Sequence, residues 1–523
     1  MTEHRMFDGD PNHSTALAAR IDSSAGLYDH PYAWLGVRTF INCTGFRAAT
    51  GNSIMNPATL RAMEAAAGTF VNLNELMDAA GRYLAYLTGA PSAIVTTGSA
   101  GSLTLAAAAC AAGNDPEKML MLPEHEGKRP TVIVPADQRF AYEQSLRVAG
   151  CEIATATDKQ QLVARLDSGA ILVCLIGRSE EKSELSLDRI SPICHRYGVP
   201  ILVDAAALPL RRPDPWVKRG ANLVTYSGGK MLRGPHSTGL LLGDRNLVQA
   251  AWLNGAPQQS FGRALKVSKE EIVGLVSAVS TWFEEDSEQS LVRDWVKRLE
   301  EMQRIIEVQP GVAARIVQVG APDIVSYLNV SWKASAYPIS PDQLRRAMAK
   351  GSPRVILDDI NVGDHSIAVY PINMRDGQGQ VVADRLLQTL RDAATGSSEK
   401  SGEDQRASQP NSYQVHGNWR LTAEFLVGRA EHRLELHQQG SEINGLHTAP
   451  SSCGRIEGFI DEDEISLRSA LPFMGTALHY HFRGTLRNGT LMGTVALGCA
   501  RPEHDGESFK SQFGEADWHA ERI

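Results

Sequence analysis

A lysine and an aspartate each close an apolar segment of this chain, and the pair fits covalent chemistry on an aldehyde cofactor. Lys230 ends the stretch Ser227-Gly228-Gly229-Lys230 after the apolar run 221–226, and Asp204 ends the run 200–204. A lysine amine can form a Schiff base with pyridoxal 5'-phosphate, while a carboxylate keeps the pyridine nitrogen protonated, so that the ring accepts carbanion electrons. The pair therefore predicts a pyridoxal phosphate site, although an apolar strand ending in Asp before a Gly-Gly-Lys stretch also occurs in other α/β proteins.

Small and polar residues near this pair could complete a cofactor site. The hydroxyl of Ser227 and neighbouring N–H groups can take the phosphate, and the small Ala206 leaves room for a flat ring. Segment 96–102, Thr-Thr-Gly-Ser-Ala-Gly-Ser, opens an alanine-rich helix, and the N-terminus of a helix attracts an anion. The same segment equally fits a helix start whose small residues serve close packing.

Polar and aromatic residues follow the next apolar run. In an open sheet, ligands bind beyond the carboxyl ends of the strands, so Gln138, Phe140 and Tyr142 are expected over or beside the cofactor ring. Packing of the loop is the alternative for both aromatic residues. Further along the chain, Arg263 and Lys266 stand three apart after a glycine, and they either grip one anion or form a solvated basic turn.

The elements that must position these residues alternate between short apolar runs and helical patterns from about residue 36 to 270. Continuous apolar runs are typical of strands buried on both faces, and their alternation with helices predicts an α/β fold with a mostly parallel sheet. A helical stretch from 269 to 306 and a smaller α/β unit, roughly 310–393, follow. The predicted strands of the large sheet are 93–96, 131–134, 171–175, 200–204, 223–226 and 238–242.

Composition and periodicity divide the chain into five segments. The linker among them has almost no apolar residues, which is typical of a flexible connection. In the last segment, short strands of period two alternate with frequent turns and predict a small antiparallel β-barrel or sandwich. The segments are an N-terminal arm with a short helix near 15–21 (1–35), a large cofactor domain (36–270), a linking helix with a small α/β domain (271–394), the linker (395–412) and the C-terminal domain (413–523).

Composition and charge exclude several classes of partner. The chain has 523 residues, 43% hydrophobic and 21% charged, which is typical of two or three soluble domains. The net charge of −8 argues against nucleic-acid binding, and no apolar run is long enough to span a bilayer. Seven scattered cysteines without a C-x-x-C pair predict reduced thiols in the cytoplasm, and His479 with His481 alone do not predict a metal site.

Three motifs, in the same order, give the chain a resemblance to a known enzyme family. Segment 261–275, Phe-Gly-Arg-Ala-Leu-Lys-Val-Ser-Lys-Glu-Glu-Ile-Val-Gly-Leu, resembles the sequence after the Schiff-base lysine in bacterial selenocysteine synthases. It resembles still more their shorter relatives, typified by D-glucosaminate-6-phosphate ammonia-lyase. Segment 41–45, Ile-Asn-Cys-Thr-Gly, resembles the family's Ile-Asn-Ala-x-Gly motif, and segment 226–235, Tyr-Ser-Gly-Gly-Lys-Met-Leu-Arg-Gly-Pro, resembles its Phe-Ser-Gly-x-Lys-x-x-x-Gly-Pro motif.

This resemblance covers roughly residues 36–393, and the chain differs from selenocysteine synthases in four respects. Their N-terminal tRNA domain has no counterpart here, so selenium transfer is not the expected activity. Lys266 stands where they tend to carry arginine, and Gln138 stands where relatives often have a histidine over the ring. Segment 413–523 is an addition, and its Gly417-Asn418-Trp419 opening and its closing segment 514–518 resemble a lipocalin-like module.

The resemblance implies the fold type I (aspartate aminotransferase-like) architecture of pyridoxal phosphate enzymes. It implies Lys230 as the Schiff-base lysine, Asp204 as the partner of the pyridine nitrogen, and Gly98 and Ser99 near the phosphate. Arg263 and Lys266 match the basic positions that bind the substrate anion in the family. The other candidates for substrate binding are Asn42 and Thr44, from the first motif, and Arg354.

The expected function is that of a pyridoxal phosphate-dependent lyase, a dehydratase or ammonia-lyase, acting on a β-hydroxy or otherwise β-substituted amino acid or amino sugar acid. A racemase, epimerase or aldolase of amino acids could use the same residues and stays an alternative. A non-catalytic protein that binds a ligand through the C-terminal domain is an alternative of another class. Because fold type I active sites usually combine residues of two chains, a homodimer or higher symmetric homo-oligomer is expected.

Overall fold

Two compact units make up the part of the chain that the computed structural model describes, namely residues 30–318, 324–358, 363–395, 413–425, 427–498 and 513–523. The helix predicted near 15–21 and all but the first residue of the predicted linker lie outside the described residues. The first unit is drawn from Met1–Gly45, Leu299–Arg315 and Leu328–Ser398, and the second from Phe46–Arg298, Ile316–Tyr327 and Glu399–Ile523.

Helices and strands alternate up to residue 394, and the described elements beyond it are strands. The strands are β1 (Ile41–Cys43), β2 (Ser92–Thr97), β3 (Thr131–Pro135), β4 (Glu152–Ala156), β5 (Ala170–Ile176), β6 (Ile201–Asp204), β7 (Leu223–Ser227), β8 (Thr238–Gly243), β9 (Val312–Val317), β10 (Tyr327–Trp332), β11 (Val355–Leu357), β12 (Ser366–Val369), β13 (Gly417–Glu424), β14 (Arg429–Gln439), β15 (Glu442–Ala449), β16 (Ser452–Asp461), β17 (Glu464–Phe473), β18 (Thr476–Arg487), β19 (Thr490–Gly498) and β20 (Glu515–Arg522). The α-helices are Pro31–Trp34, Pro57–Ala67, Leu73–Thr88, Gly98–Ala112, Pro116–Met121, Glu143–Val148, Lys159–Asp167, Leu187–Tyr197, Pro215–Lys218, Arg245–Leu253, Lys269–Glu284, Ser287–Ile306, Pro341–Lys350 and Gln378–Ala394.

The second unit contains a seven-stranded sheet in the order β2-β8-β7-β6-β5-β3-β4. Strands β3 to β7 pair in parallel, whereas β8 is antiparallel to both β7 and β2. The predicted mostly parallel sheet is thereby confirmed, and β3, β7 and β8 are buried along their whole length, as their continuous apolar runs indicate. Strand β4 falls outside the prediction because it is an edge strand, only partly buried, with no continuous apolar run.

Helices beside this sheet begin where the sequence supplies starting signals. The helix Gly98–Ala112 is buried over most of its length, which its alanine-rich sequence permits because small side chains allow close packing on all sides. The stretch predicted as helical from 269 to 306 forms two helices. The first starts with a capping box between Ser268 and Glu271, and the left-handed backbone of Asp286 (φ +45°) separates the two.

The first unit combines two small sheets with helices. Strand β1 pairs in parallel with β11, so that Ile41 lies opposite Val355, and β12, β10 and β9 form a three-stranded sheet in that order. The helix Pro341–Lys350 packs on β11 and on the helix Gln378–Ala394. Strands β9 to β12 and these two helices lie in the segment, roughly 310–393, for which a smaller α/β unit is predicted.

Strands β13 to β20 close into an eight-stranded antiparallel barrel, which confirms the barrel predicted from the period-two pattern. Alternate residues of each strand point inward, and the interior is filled with large side chains, including Trp419, Phe482 and Trp518. Because the barrel is closed, each of its eight described strands has two hydrogen-bonded neighbours.

Candidate active site

The carboxyl ends of the central strands bring the predicted cofactor residues to one edge of the large sheet. Asp204 is the last residue of β6 and Ser227 the last of β7, while Gly98 and Ser99 follow β2. Because β8 is antiparallel, its first residues lie beside these ends, and Gly239 pairs with both Thr96 and Ser227. The sheet order therefore places Gly98, Ser99, Ser227 and Asp204 along one edge, where ligands bind in open sheets.

Asp204 lies in a protein environment that disfavours its charge. Desolvation raises its pKa, while the N–H of Ala206, 2.9 Å from Oδ1, and the charge of Lys230 act in the opposite sense. Ala206 also accepts a hydrogen bond (3.4 Å) from the N–H of Ser227, which ties the two strand ends together. A cation beside a buried carboxylate stabilises its charged form, so Asp204 is suited to a protonated pyridine nitrogen.

Lys230 extends from a tight turn after β7. A Cβ built on Gly229 would lie 2.5 Å from Cα of His236, and one on Gly228 would collide with the hydroxyl of Thr238, so only glycine fits at both positions. Desolvation lowers the pKa of Lys230, the charge of Asp204 raises it, and the charge of Arg178 lowers it further. Lys230 and Asp204 thus influence each other's pKa, and the edge of the sheet at which both lie is termed the cleft.

Gln138 presents an unsatisfied hydrogen-bond donor beside this cleft. Its side chain is buried, and its Oε1 accepts a hydrogen bond of 2.7 Å from the N–H of Ile176. Ile176 pairs in register with Asp204, so Gln138 lies next to the end of β6. Its Nε2 is buried with no hydrogen-bond partner among the described residues, which fits a polar atom of a bound molecule.

The start of the helix Gly98–Ala112 has the features of an anion-binding site. Gly98 adopts a left-handed backbone (φ +69°), and in the described part of the chain the side chain of Thr97 makes no capping hydrogen bond to the helix. A Cβ on Gly239 would lie 2.7 Å from the N atom of Ser99, so glycine is required for β8 to pass this close. The free N–H groups and the helix dipole can therefore receive a phosphate, as predicted for Gly98 and Ser99.

Arg178 is a charged residue near the cleft that the sequence analysis missed. It follows Gly177 at the end of β5, and the N–H of Gly177 donates to the backbone oxygen of Asp204 at 2.9 Å. The charge of Arg178 lowers the pKa of Lys230. Its position directly after an apolar run was the signal that could have revealed it, since the same signal identified Asp204.

The remaining predicted residues lie elsewhere in the fold. Tyr142 stands at the start of the helix Glu143–Val148 with about half of its side chain exposed. Arg263 and Lys266 line a cavity of about 390 Å³ beside β2, with mostly apolar walls that include Met77 and Trp252 but not Lys230.

Three predicted substrate-binding residues meet within the first unit. Oδ1 of Asn42 accepts hydrogen bonds from the N–H (3.0 Å) and the hydroxyl (2.9 Å) of Thr44. The backbone oxygen of Arg354 accepts a bond of 2.9 Å from the N–H of Ile41, and its guanidinium lies 5.8 Å from the ring centre of Phe40. The pairing of β1 with β11 therefore brings Asn42, Thr44 and Arg354 together, although they are more than 300 residues apart in the chain.

Among the described residues, no group of three or more His, Cys, Asp or Glu side chains is arranged to hold a metal ion. None of the helices in the described ranges combines the length and the apolar character needed to cross a bilayer.

The α/β core has the fold type I architecture, and the barrel is an addition to it. The solved structure of D-glucosaminate-6-phosphate ammonia-lyase superposes with a TM-score of 0.63 at 22% identity, covering 70% of this chain and 99% of that chain. No protein-family model matches the sequence.

Curated relatives include both kinds of enzyme that the motifs resemble. The chain is 29% identical to a 5'-C-glycyluridine monooxygenase-decarboxylase from Streptomyces, over 71% of this chain and 94% of that protein. It is 24% identical to the D-glucosaminate-6-phosphate ammonia lyase of Salmonella typhimurium (69% and 98%). It is 26% identical to the L-seryl-tRNA(Sec) selenium transferase of Moorella thermoacetica (69% and 83%).

Proposed function

We propose that the chain is a pyridoxal phosphate-dependent lyase that eliminates a β-substituent from a β-hydroxy or otherwise β-substituted amino acid or amino sugar acid. The observation that carries the proposal is the placement of Asp204 and Lys230 at the carboxyl ends of the neighbouring parallel strands β6 and β7, where each side chain shifts the pKa of the other. An ammonia lyase of a phosphorylated amino sugar acid among the relatives supports this class of substrate. Bound pyridoxal phosphate supplies the electron sink for a carbanion at the α-carbon.

The protein's contribution begins with proton transfer by Lys230. Desolvation lowers the pKa of its amine, so the amine is more readily neutral than that of an exposed lysine. A neutral amine in the cleft can take the α-proton of the substrate and return a proton to the leaving group. The positive charge of Arg178 favours the same neutral state of Lys230 and offers a partner for an anionic group of the substrate.

Asp204 and Gln138 would hold and orient the cofactor ring. A pyridinium beside Asp204 reverses the effect of desolvation on the carboxylate, so the cation and the carboxylate stabilise each other. The buried Nε2 of Gln138 can donate to a polar atom of the ring or of the substrate. Ser227, Gly98 and Ser99 would receive the phosphate, while Tyr142, more than half exposed, would border the opening.

Substrate anions would be bound by the basic residues away from Lys230. Arginine suits a carboxylate or phosphate because its guanidinium binds two oxygens at once, which favours Arg263 and Arg354, with Lys266 adding charge. Asn42 and Thr44 offer further hydrogen bonds. Because the cavity of Arg263 and Lys266 does not include Lys230, these two residues would serve the cleft of a neighbouring copy in a homodimer or larger symmetric assembly.

Exposed apolar side chains support such an assembly. Phe70 is 98% exposed, and Ile54, Leu60 and Val71 are about half exposed on the same unit. Large apolar side chains left exposed in one copy can be covered in an assembly. The six described cysteines are free, which supports a protein that works in the reducing cytoplasm.

The test uses the full-length protein supplied with pyridoxal phosphate. We expect an absorption band at ~410–430 nm that borohydride removes and that Lys230→Ala lacks. Lys218→Ala, an exposed lysine at the end of the helix Pro215–Lys218, is the matched control and should keep the band and the activity. A wild-type protein without the band, or a Lys230→Ala variant with full activity, would contradict the proposal.

A substrate screen separates the possible reactions. D- and L-β-hydroxy amino acids and phosphorylated amino sugar acids are tested for release of keto acid and ammonia, and for inversion at the α-carbon or release of an aldehyde. Racemisation or aldol cleavage without keto acid would replace the lyase by its alternatives. Oxygen consumption and carbon dioxide release in the same assay would instead indicate the kind of reaction for which the Streptomyces relative is named.

A further inference from the structure

The turn between β17 and β18 of the barrel contacts the loop that follows β3 of the large sheet, and both belong to the second unit. Gly475 lies in this turn with φ +80°. A Cβ built on Gly475 would lie 2.6 Å from the backbone oxygen of Phe140 and 2.9 Å from Oε2 of Glu143. Real Cβ atoms do not approach so closely, so the turn and the loop meet backbone to backbone and leave room only for glycine.

The loop that receives the turn is held by a buried carboxylate. The side chain of Glu143 is fully buried, and its oxygens accept hydrogen bonds from Arg139 (Nη2 to Oε2, 2.7 Å), from Arg147 (3.2 Å) and from the N–H of Phe140 (3.3 Å). Because both arginines and the backbone converge on one carboxylate, a displacement of Phe140 or Glu143 cannot stay local. It must also move Arg139, the residue next to Gln138.

A displacement of this loop would change the position of Gln138, whose side chain lies beside the cleft. Its Oε1 is fixed by the N–H of Ile176 at 2.7 Å, and its Nε2 is the buried donor without a partner among the described residues. Ile176 lies opposite Asp204 in the sheet. The contact at Gly475 is therefore two residues from a side chain that faces the same edge as Lys230.

The barrel end that bears the turn is stiffened from within. Ser469 of β17 pairs with Tyr480 of β18 just behind the turn. The hydroxyl of Ser469 lies 2.6 Å from Nδ1 of His447, and Nε2 of His447 lies 2.8 Å from Nδ1 of His432. These three side chains are buried in the barrel, so hydrogen bonds inside the barrel hold the strand that leads into the turn.

We infer that Gly475 is a positioning residue, and that the barrel sets the orientation of Gln138 at the cofactor site through the contact of its β17–β18 turn with the loop 137–143. The inference rests on the proposed function for the role of Gln138. The physical contact itself does not depend on that function. The barrel is accordingly a structural part of the site and not an independent module.

The test compares Gly475→Ala with Gly489→Ala in the full-length protein. Gly489 (φ +79°) lies in the β18–β19 turn at the opposite end of the barrel, with open space around its missing side chain. Each glycine follows a residue that is also left-handed, Met474 or Asn488, so an alanine strains both turns alike. Only Gly475→Ala adds a collision with Phe140 and Glu143.

Hydrogen exchange measured without cofactor reports on the contact between the β17–β18 turn and the loop 137–143. We expect Gly475→Ala to increase exchange in peptides spanning 137–143 and Gly489→Ala to leave them unchanged. With pyridoxal phosphate, we expect Gly475→Ala to weaken cofactor binding by ~10-fold relative to Gly489→Ala and to shift the absorption maximum. Gln138→Ala should have the same effects, and the double variant Gly475→Ala/Gln138→Ala should add little.

The outcomes separate the inference from the proposed function. Equal exchange of 137–143 in the two glycine variants overturns the inference, whatever the cofactor does. Unequal exchange with equal cofactor binding and equal spectra overturns the positioning of Gln138. If the wild-type protein shows no cofactor band, the proposed function is wrong. The exchange result then still shows whether the turn contacts the loop. If Gly475→Ala does not fold, the pair Gly475→Asn and Gly489→Asn replaces it, because asparagine adopts a left-handed backbone more easily.

Discussion

Acidification should weaken the barrel through one buried histidine. His447 is fully buried, between the hydroxyl of Ser469 and the ring of His432. Desolvation, and to a smaller extent the charge of His432, lowers the pKa of His447 to about 3. In the unfolded chain the same side chain has a pKa of about 6.5. Below pH 6.5 the unfolded state therefore binds a proton that the folded state does not.

The magnitude of this effect follows from the two pKa values. The stability that neutral His447 confers is fully present above about pH 6.5 and is lost as the pH falls toward about 3. Each pH unit inside this window costs about 1.4 kcal/mol per proton. Acidification to pH 4.5 crosses about two units, so His447 alone should lower the free energy of opening of the barrel by about 3 kcal/mol.

Hydrogen exchange of barrel peptides in the full-length protein measures this free energy at pH 7.5 and 4.5 after correction for intrinsic rates. The variant His447→Gln cannot titrate and should show a fall smaller by about 3 kcal/mol. His437→Gln, on an exposed histidine of the same strand as His432, is the control and should behave as wild type. An equal fall in wild type and His447→Gln would refute the assignment of the acid sensitivity to His447.

Two further predictions concern thiol reactivity and the phosphate seat. Burial raises the pKa of Cys110, Cys151 and Cys194 to about 12 and raises those of Cys43 and Cys174 as well, whereas Cys453 is exposed. Among these six cysteines, a thiol reagent at pH 8 should therefore modify Cys453 first, and mass mapping that finds Cys174 modified equally fast would contradict this order. Gly239→Ala pushes a Cβ against the backbone of Gly98 and Ser99 and should weaken cofactor binding by ~10-fold. Gly68→Ala is the control, because Gly68 has open space around it and, like Gly239, no left-handed backbone; equal titration curves would disprove the tight fit.

The large sheet and its ligand-binding edge could be predicted from the sequence because both depend on local patterns. Continuous apolar runs marked the buried strands; Asp204 ends one such run, and Lys230 stands three residues after the end of β7. Strand β4 escaped prediction because an edge strand needs no continuous apolar run. The break at Asp286 escaped because a left-handed backbone at an aspartate has no distinct signature in one sequence.

Contacts between distant segments could not be predicted in the same way. The hydrogen bond that the N–H of Ile176 donates to Gln138 requires β3 and β5 to be neighbours in the sheet, and the sequence does not specify this order. The pair His432 and His447 depends on the register between β14 and β15, in which His447 lies opposite Leu434. A period-two pattern fixes which face a residue occupies but not which residue of the next strand it meets.

The pairing of β1 with β11 has a consequence for how the protein is made. Residues 41–43 leave the ribosome early, but their partner, residues 355–357, is synthesised more than 300 residues later. Strand β1, and with it the grouping of Asn42 and Thr44 with Arg354, therefore cannot assemble during most of translation. A nascent chain halted before residue 355 would contain all strands of the large sheet, but β1 would still lack the strand with which it pairs.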